Sequence, residues 1–142
     1  MGVASACVLL LGACARGRTA VRPPTATSAD IQGLVRQALM LDAARAPAAD
    51  SLYAADAVVV ANARVRLGPP RFAGVGYGGR ITIAAAAVTL HGTFAWAMVD
   101  YRWFNTEQRQ AEAGRATFVL EQRPSGWRVI HAHSSQLLPW DR

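Results

Sequence analysis

Apolar and polar residues change rhythm once along this chain. Early on they recur at helical spacing; later they alternate. Ile31, Leu34, Val35, Ala38, Leu41 and Arg45 follow a period near 3.6 residues, with Gln32, Arg36, Gln37 and Asp42 elsewhere on the wheel. This predicts a helix capped by Ser28 or Asp30 and ended by Pro47. Asp50, Ser51, Leu52 and Tyr53 read as a second, short helix. Asp56, Ala57, Val58, Val59 and Val60 are rich in β-branched residues and read as a strand.

From residue 80 onward the period is two. One long strand is expected over 80–90, and His91-Gly92 turns the chain. A second covers 94–104, with Ala95, Ala97, Val99, Tyr101 and Trp103 on one face and Trp96, Met98, Asp100 and Arg102 on the other. Residues 105–113 read as a polar hairpin loop and 116–122 as a third strand. The turn Arg123-Pro124-Ser125-Gly126 leads into the stretch from Gly126 to Ser135. Simple alternation there puts Trp127, Val129, His131, His133 and Ser135 on one face, packed on the first helix. Arg128, Ile130, Ala132 and Ser134 take the other face, which a second subunit is expected to cover. Helices followed by a meander give an α+β class, with the helices on one face of a curved antiparallel sheet.

Residues 68–79 interrupt the pattern with Pro69, Pro70 and a run of glycines, and read as a loop. Gly74-Val75-Gly76-Tyr77-Gly78-Gly79 spells a dinucleotide fingerprint. That motif needs a helix after it, and Arg80-Ile81-Thr82-Ile83 favours a strand instead. No cofactor is expected.

Composition changes the picture mainly at the N-terminus. Met1 to Ala13 is short and apolar and ends in Leu11-Gly12-Ala13-Cys14. This resembles a bacterial lipoprotein signal, although no Arg or Lys precedes the apolar run; an ordinary cleaved secretory signal or a plain apolar tail is the blander reading. The expected organisation is a signal peptide at 1–13, a Pro- and Thr-rich linker at 14–28 and a folded domain at 29–142, with Cys14 as the lipidation point. A lipid anchor would place the domain at the cell envelope, outside the cytoplasm. Both cysteines lie in that leader, which leaves the domain without a disulfide or thiolate site. The formal charge is +6, carried by arginine without lysine and spread along the chain, so no nucleic-acid surface is expected.

Three stretches carry a family resemblance. They are Leu52-Tyr53-Ala54-Ala55-Asp56-Ala57-Val58-Val59-Val60, Phe94-Ala95-Trp96-Ala97-Met98-Val99-Asp100-Tyr101-Arg102-Trp103, and the closing run from Gly126 to Ser135. Together they resemble the SnoaL-like branch of the nuclear transport factor 2-like superfamily. The last stretch is also similar to the end of the association domain of calcium/calmodulin-dependent kinases. The resemblance implies a cone: a strongly bent sheet against helices, open at one end, often dimeric through the sheet. It also implies a helix after the first strand, where this sequence has its Pro/Gly loop. By that analogy Tyr101, Trp103, Phe118 and Ser134 face the pocket. The association domain has arginines at positions matching Tyr101, Phe118 and Ser134, so a carboxylate-binding pocket of its type is not implied here.

Candidate chemistry is sparse. His131 and His133 could share an ion if Asp100 or His91 joined them; packing or an interface is the plainer use, and no metal is expected. Asp100 would serve as a base only if it faced an apolar pocket; alternation instead pairs it with Arg102 away from Tyr101. Ser134 and Ser135 have no nearby Asp and no nucleophile elbow. The expected function is a non-catalytic, dimerising envelope domain that holds a small apolar ligand. An acid-base isomerase or cyclase, and a purely structural envelope module, remain open beside it.

Overall fold

The computed structural model describes residues 26–44, 46–61, 64–67, 79–105, 107 and 109–136. The lipobox, its linker up to residue 25 and the loop from 68 to 78 lie outside the described residues.

Helix α1 spans Ser28–Ala43. Its cap is Thr27, one residue ahead of the expected Ser28. The Thr27 Oγ1 accepts from the Asp30 N–H at 3.3 Å, and the Thr27 N–H donates to Asp30 Oδ2 at 2.8 Å. Asp30 therefore acts as the reciprocal partner in a capping box. Pro47, the expected stop, opens a short 3-10 helix, Pro47–Leu52, and Tyr53 already belongs to the next strand.

The strands are β1 (Tyr53–Ala61), β2 (Arg64–Leu67), β3 (Arg80–His91), β4 (Phe94–Asn105), β5 (Gln110–Arg123) and β6 (Gly126–Gln136). They form a six-stranded curved sheet in the order β2-β1-β6-β5-β4-β3. The α+β class and curved sheet are as expected. Every neighbouring pair is antiparallel except β1 and β6, which run parallel. Two details differ from the sequence reading. Strand β2 was not foreseen, and β5 begins at Gln110, so most of the anticipated loop is strand.

The third difference concerns faces. Leu120 pairs with Val129 but Val119 pairs with His131, which leaves Ile130 as the extra residue of a β-bulge. A bulge inserts one residue and reverses the alternation beyond it. Val129, Ala132 and Ser134 consequently share the buried face, while His133 is exposed and His131 half-buried on the other. The expected grouping of Val129 with His131 and His133, and of Ala132 and Ser134 with Ile130, is corrected accordingly. Strand β3 does the same at Ala84: Ile81 and Ile83 face inward before it, Ala86, Val88 and Leu90 after it. These insertions increase local bending, and the sheet wraps toward α1.

Ile31, Val35, Ala38 and Leu39 of α1 are fully buried and join Ala95, Ala97, Val99 and Leu120 in one core. The helix lies chiefly on β3 and β4, and β6 instead meets the 3-10 helix, contrary to the expected packing of β6 on α1. Each such Ile, Val or Leu contributes about 1.5–3 kcal/mol through burial. Tyr53 closes one end, donating its hydroxyl to Asp42 Oδ2 at 2.6 Å within the core. No described helix is long and apolar enough to cross a membrane.

Candidate functional site on the inner face

The inner face continues past α1 toward the far ends of β4, β5 and β6. Alternation along β4 brings Tyr101 and Trp103 inward, 1 % and 2 % exposed. Phe118 on β5 and Ser134 on β6 join them, at 0 % and 1 %. All of the residues expected to face a pocket thus share one buried face.

Glycines decide how the two rings lie. Gly114 is paired directly with Tyr101, and a Cβ there would overlap the Tyr101 hydroxyl and the Ser135 carbonyl. The tyrosine therefore reaches across β5 toward β6, where Ser134 sits. Gly79, just before β3, does the same for Trp103: a Cβ there would run into the indole nitrogen. The two polar tips diverge, one toward β6 and one toward the start of β3.

One functional residue escaped the sequence reading. Glu112 pairs with Trp103 and keeps step with Gly114, Ala116 and Phe118 on the inner face. Counting back by twos from Phe118 reaches it, although its polar neighbours read as loop. Burial pushes the Tyr101 phenol well above its usual range, and the nearby Glu112 charge pushes it further. Ser134 lies near enough to ease it slightly downward. Even so, the Tyr101 hydroxyl, the Trp103 Nε1–H and the Ser134 hydroxyl are buried with no hydrogen-bond partner among the described residues. Such groups carry a desolvation cost of about 1–3 kcal/mol each.

Asp100 is on the opposite face, as alternation implied, but its partner is different. Arg115, across from it on β5, donates Nε to Oδ1 at 2.6 Å and Nη2 to Oδ2 at 3.1 Å. This bidentate hydrogen bonding, with the guanidinium charge behind it, holds the Asp100 carboxyl below its usual range, so it remains an ionised surface group. An open hollow of about 550 Å³ lies at these ends of β4 and β5, lined by Asp100, Arg102 and Arg115 and also by Tyr101, Glu112 and Gly114. Among the described residues, no three His, Cys, Asp or Glu side chains gather as a metal set would.

The outer face also carries an apolar stripe along β4. Phe94, Trp96 and Met98 stand outward along β4 at 41 %, 47 % and 47 % exposure. Trp96 faces Val119 on β5, which in turn faces His131 on β6, so the stripe extends onto β5 and ends at an imidazole.

A model of the SnoaL-like domain family matches residues 37–139. The chain belongs to the SnoaL-like domain family. No curated protein matches this SnoaL-like chain. Several solved structures share its fold. A nuclear transport factor 2-like protein of unknown function from Pseudomonas putida is 21 % identical, with a TM-score of 0.63 over 75 % of this chain and 84 % of that one. The association domain of calcium/calmodulin-dependent kinase II from Caenorhabditis elegans is 14 % identical, with a TM-score of 0.62 over 75 % and 93 %. A Parabacteroides distasonis protein provisionally assigned as a ketosteroid isomerase is 16 % identical, with a TM-score of 0.62 over 79 % and 89 %.

Proposed function

We propose that this SnoaL-like domain binds a small, mostly apolar ligand on its inner face without turning it over. The observation that carries this reading is the set of buried polar atoms of Tyr101, Trp103 and Ser134, which have no fully formed hydrogen bond among the described residues, beside the Phe118 ring. Buried polar groups are nearly always paired, and three such tips on one face suit a bound ligand or water as the partner. Aromatic walls with a few oriented polar tips are the usual make-up of a small-molecule pocket. A thermal-shift screen of apolar aromatic and isoprenoid compounds tests it: hits should be weakened in Trp103→Ala and retained in Asp100→Asn.

The same proposal includes a homodimer and an anchor. The Phe94-Trp96-Met98 stripe is larger than scattered surface apolars and suits a second copy of the sheet. Leu11-Gly12-Ala13-Cys14 suits lipid attachment at the cell envelope. Mass spectrometry of the mature protein should find a lipid-modified Cys14, and Cys14→Ala should free it from membranes. A soluble native protein that keeps Met1 contradicts the anchor.

A second reading, acid-base catalysis of the isomerase or cyclase kind, has one observation in its favour. Glu112 is a carboxylate on the inner face close to the Tyr101 phenol, a base beside a hydrogen-bond donor. If Glu112→Gln abolishes a measurable turnover while ligand affinity is kept, that reading replaces the first.

A further inference from the structure

The outer face holds a second concavity, at the hairpin end of β4 and β5. Three rungs of the ladder meet there: Asp100 with Arg115, Arg102 with Ala113, and Phe104 with Ala111. These six side chains form the outward set, and Arg102 and Phe104 each stand opposite an alanine. Ala84, the inserted residue of the β3 bulge, borders the same space. Small residues beside an arginine and a phenylalanine leave the open hollow of about 550 Å³. Tyr101, Glu112 and Gly114 border it as well, but they belong to the inner set. Strand β6 ends at Gln136, next to Gly114, so no described strand flanks Ala111 and Ala113 on that side. The volume falls within the range of roughly 300–1,000 Å³ usual for small-molecule sites.

Charges around the hollow are unevenly committed. Asp100 is held by Arg115 through two hydrogen bonds. Arg102 is exposed and has no hydrogen-bond or ion-pair partner among the described residues. Arg80, paired with Phe104 from β3, is exposed too and adds a positive charge beside the hollow. The Phe104 ring is itself exposed on this wall. A guanidinium presents a planar fork that fits a carboxylate through two parallel N–H donors. An exposed ring next to it offers a face for a second ring. We infer that the hollow binds a planar aromatic carboxylate, with the carboxylate on the Arg102 guanidinium and the ring against Phe104 over Ala111 and Ala113. This ligand class differs from the neutral apolar molecule of the inner face, and the two sites lie on opposite sides of the sheet.

Titration calorimetry of the full chain at low ionic strength, with 2-naphthoate and its neutral isostere 2-naphthamide, tests this. Naphthoate should bind saturably, and a saturating amount of the amide should not displace it. Arg102→Gln should weaken naphthoate about five- to tenfold, between the worth of an exposed ion pair and that of a charged hydrogen bond. It should leave amide binding unchanged. Arg102→Lys keeps the charge without the fork and should recover only part of the loss. Phe104→Ala should weaken naphthoate about two- to tenfold, the worth of one ring contact. Asp100→Asn removes a negative charge from the wall and should tighten naphthoate rather than weaken it. Each variant is checked for an unchanged circular dichroism spectrum. The assignment is overturned by naphthoate that binds Arg102→Gln as tightly as the wild type, that the amide displaces, or that shows no saturable binding at millimolar concentration. Any of these leaves the inner-face reading standing, because the amide tests that face on its own.

Discussion

Tyr101 lies across Gly114, its paired residue on the next strand, and the absence of a side chain there lets the phenol reach β6. Gly114→Ala should therefore displace the ring rather than merely crowd it. Overpacking of this kind costs about 1–3 kcal/mol. In urea unfolding, Gly114→Ala should lower the midpoint without changing the slope. Adding Tyr101→Val should recover part of the loss, since the clash is with that ring. A Gly114→Ala protein as stable as the wild type would mean the ring does not lie there.

Alkaline pH should weaken the fold through two tyrosines. Burial, then the Asp42 charge and its hydrogen bond, holds the Tyr53 phenol well above its ordinary value of 10.0. Tyr101 is raised by burial and by Glu112. In both cases the folded state keeps its proton longer than the unfolded state. Their contribution is thus complete below about pH 10 and is lost as pH rises through the folded values. Each tyrosine adds up to about 1.4 kcal/mol of lost stability per pH unit in that window. The chain has no lysine to titrate there. Tyr53→Phe should flatten the alkaline limb while costing about 1–3 kcal/mol at pH 7, because Asp42 loses a buried donor. A flat profile between pH 10 and 11.5 in the wild type would contradict the burial of both rings.

The bulge at Ile130 makes opposite predictions for neighbours on β6. Ala132 is fully buried and His133 exposed. Ala132→Asp buries an unpaired carboxylate and should unfold the domain or cost several kcal/mol. His133→Asp should leave the monomer fold within about 0.5 kcal/mol. On the proposed dimer face, His133→Asp and Trp96→Glu should shift sedimentation toward the monomer with an unchanged circular dichroism spectrum. Equal damage from Ala132→Asp and His133→Asp would remove the bulge from the account.

Much of this was legible in the residues, and what was missed has a common cause. Ala95, Ala97, Val99, Tyr101 and Trp103 alternate without interruption, and all are buried as read. Strand β4 pairs with β5 in unbroken register, so nothing upsets the count. In β6 one inserted residue reverses every later side chain, and an insertion leaves no mark on the hydrophobic pattern of so short a stretch. Ser134 was assigned inward by family analogy while the alternation put it with Ile130; the bulge reconciles the analogy with the chain. Glu112 was hidden because Glu107, Arg109 and Glu112 read together as a polar loop. Its strand is specified by pairing with Trp103, a long-range contact that local composition does not encode. Asp100 was placed on the correct face, but its partner Arg115 comes from the neighbouring strand rather than from Arg102 on its own.

The most direct test of a ligand on the inner face reads the Trp103 indole itself. Its Nε1–H is buried on that face with no hydrogen-bond partner among the described residues, whereas Trp96 stands outward on the same strand. In protein labelled with ¹⁵N-tryptophan, with resonances assigned through Trp103→Phe and Trp96→Phe, 2-naphthamide should be titrated to saturation. The Trp103 indole resonance should shift saturably while the Trp96 signal stays in place. Movement of Trp96 with Trp103 unchanged would put the ligand on the outer sheet and contradict the assignment of the inner face as the binding site.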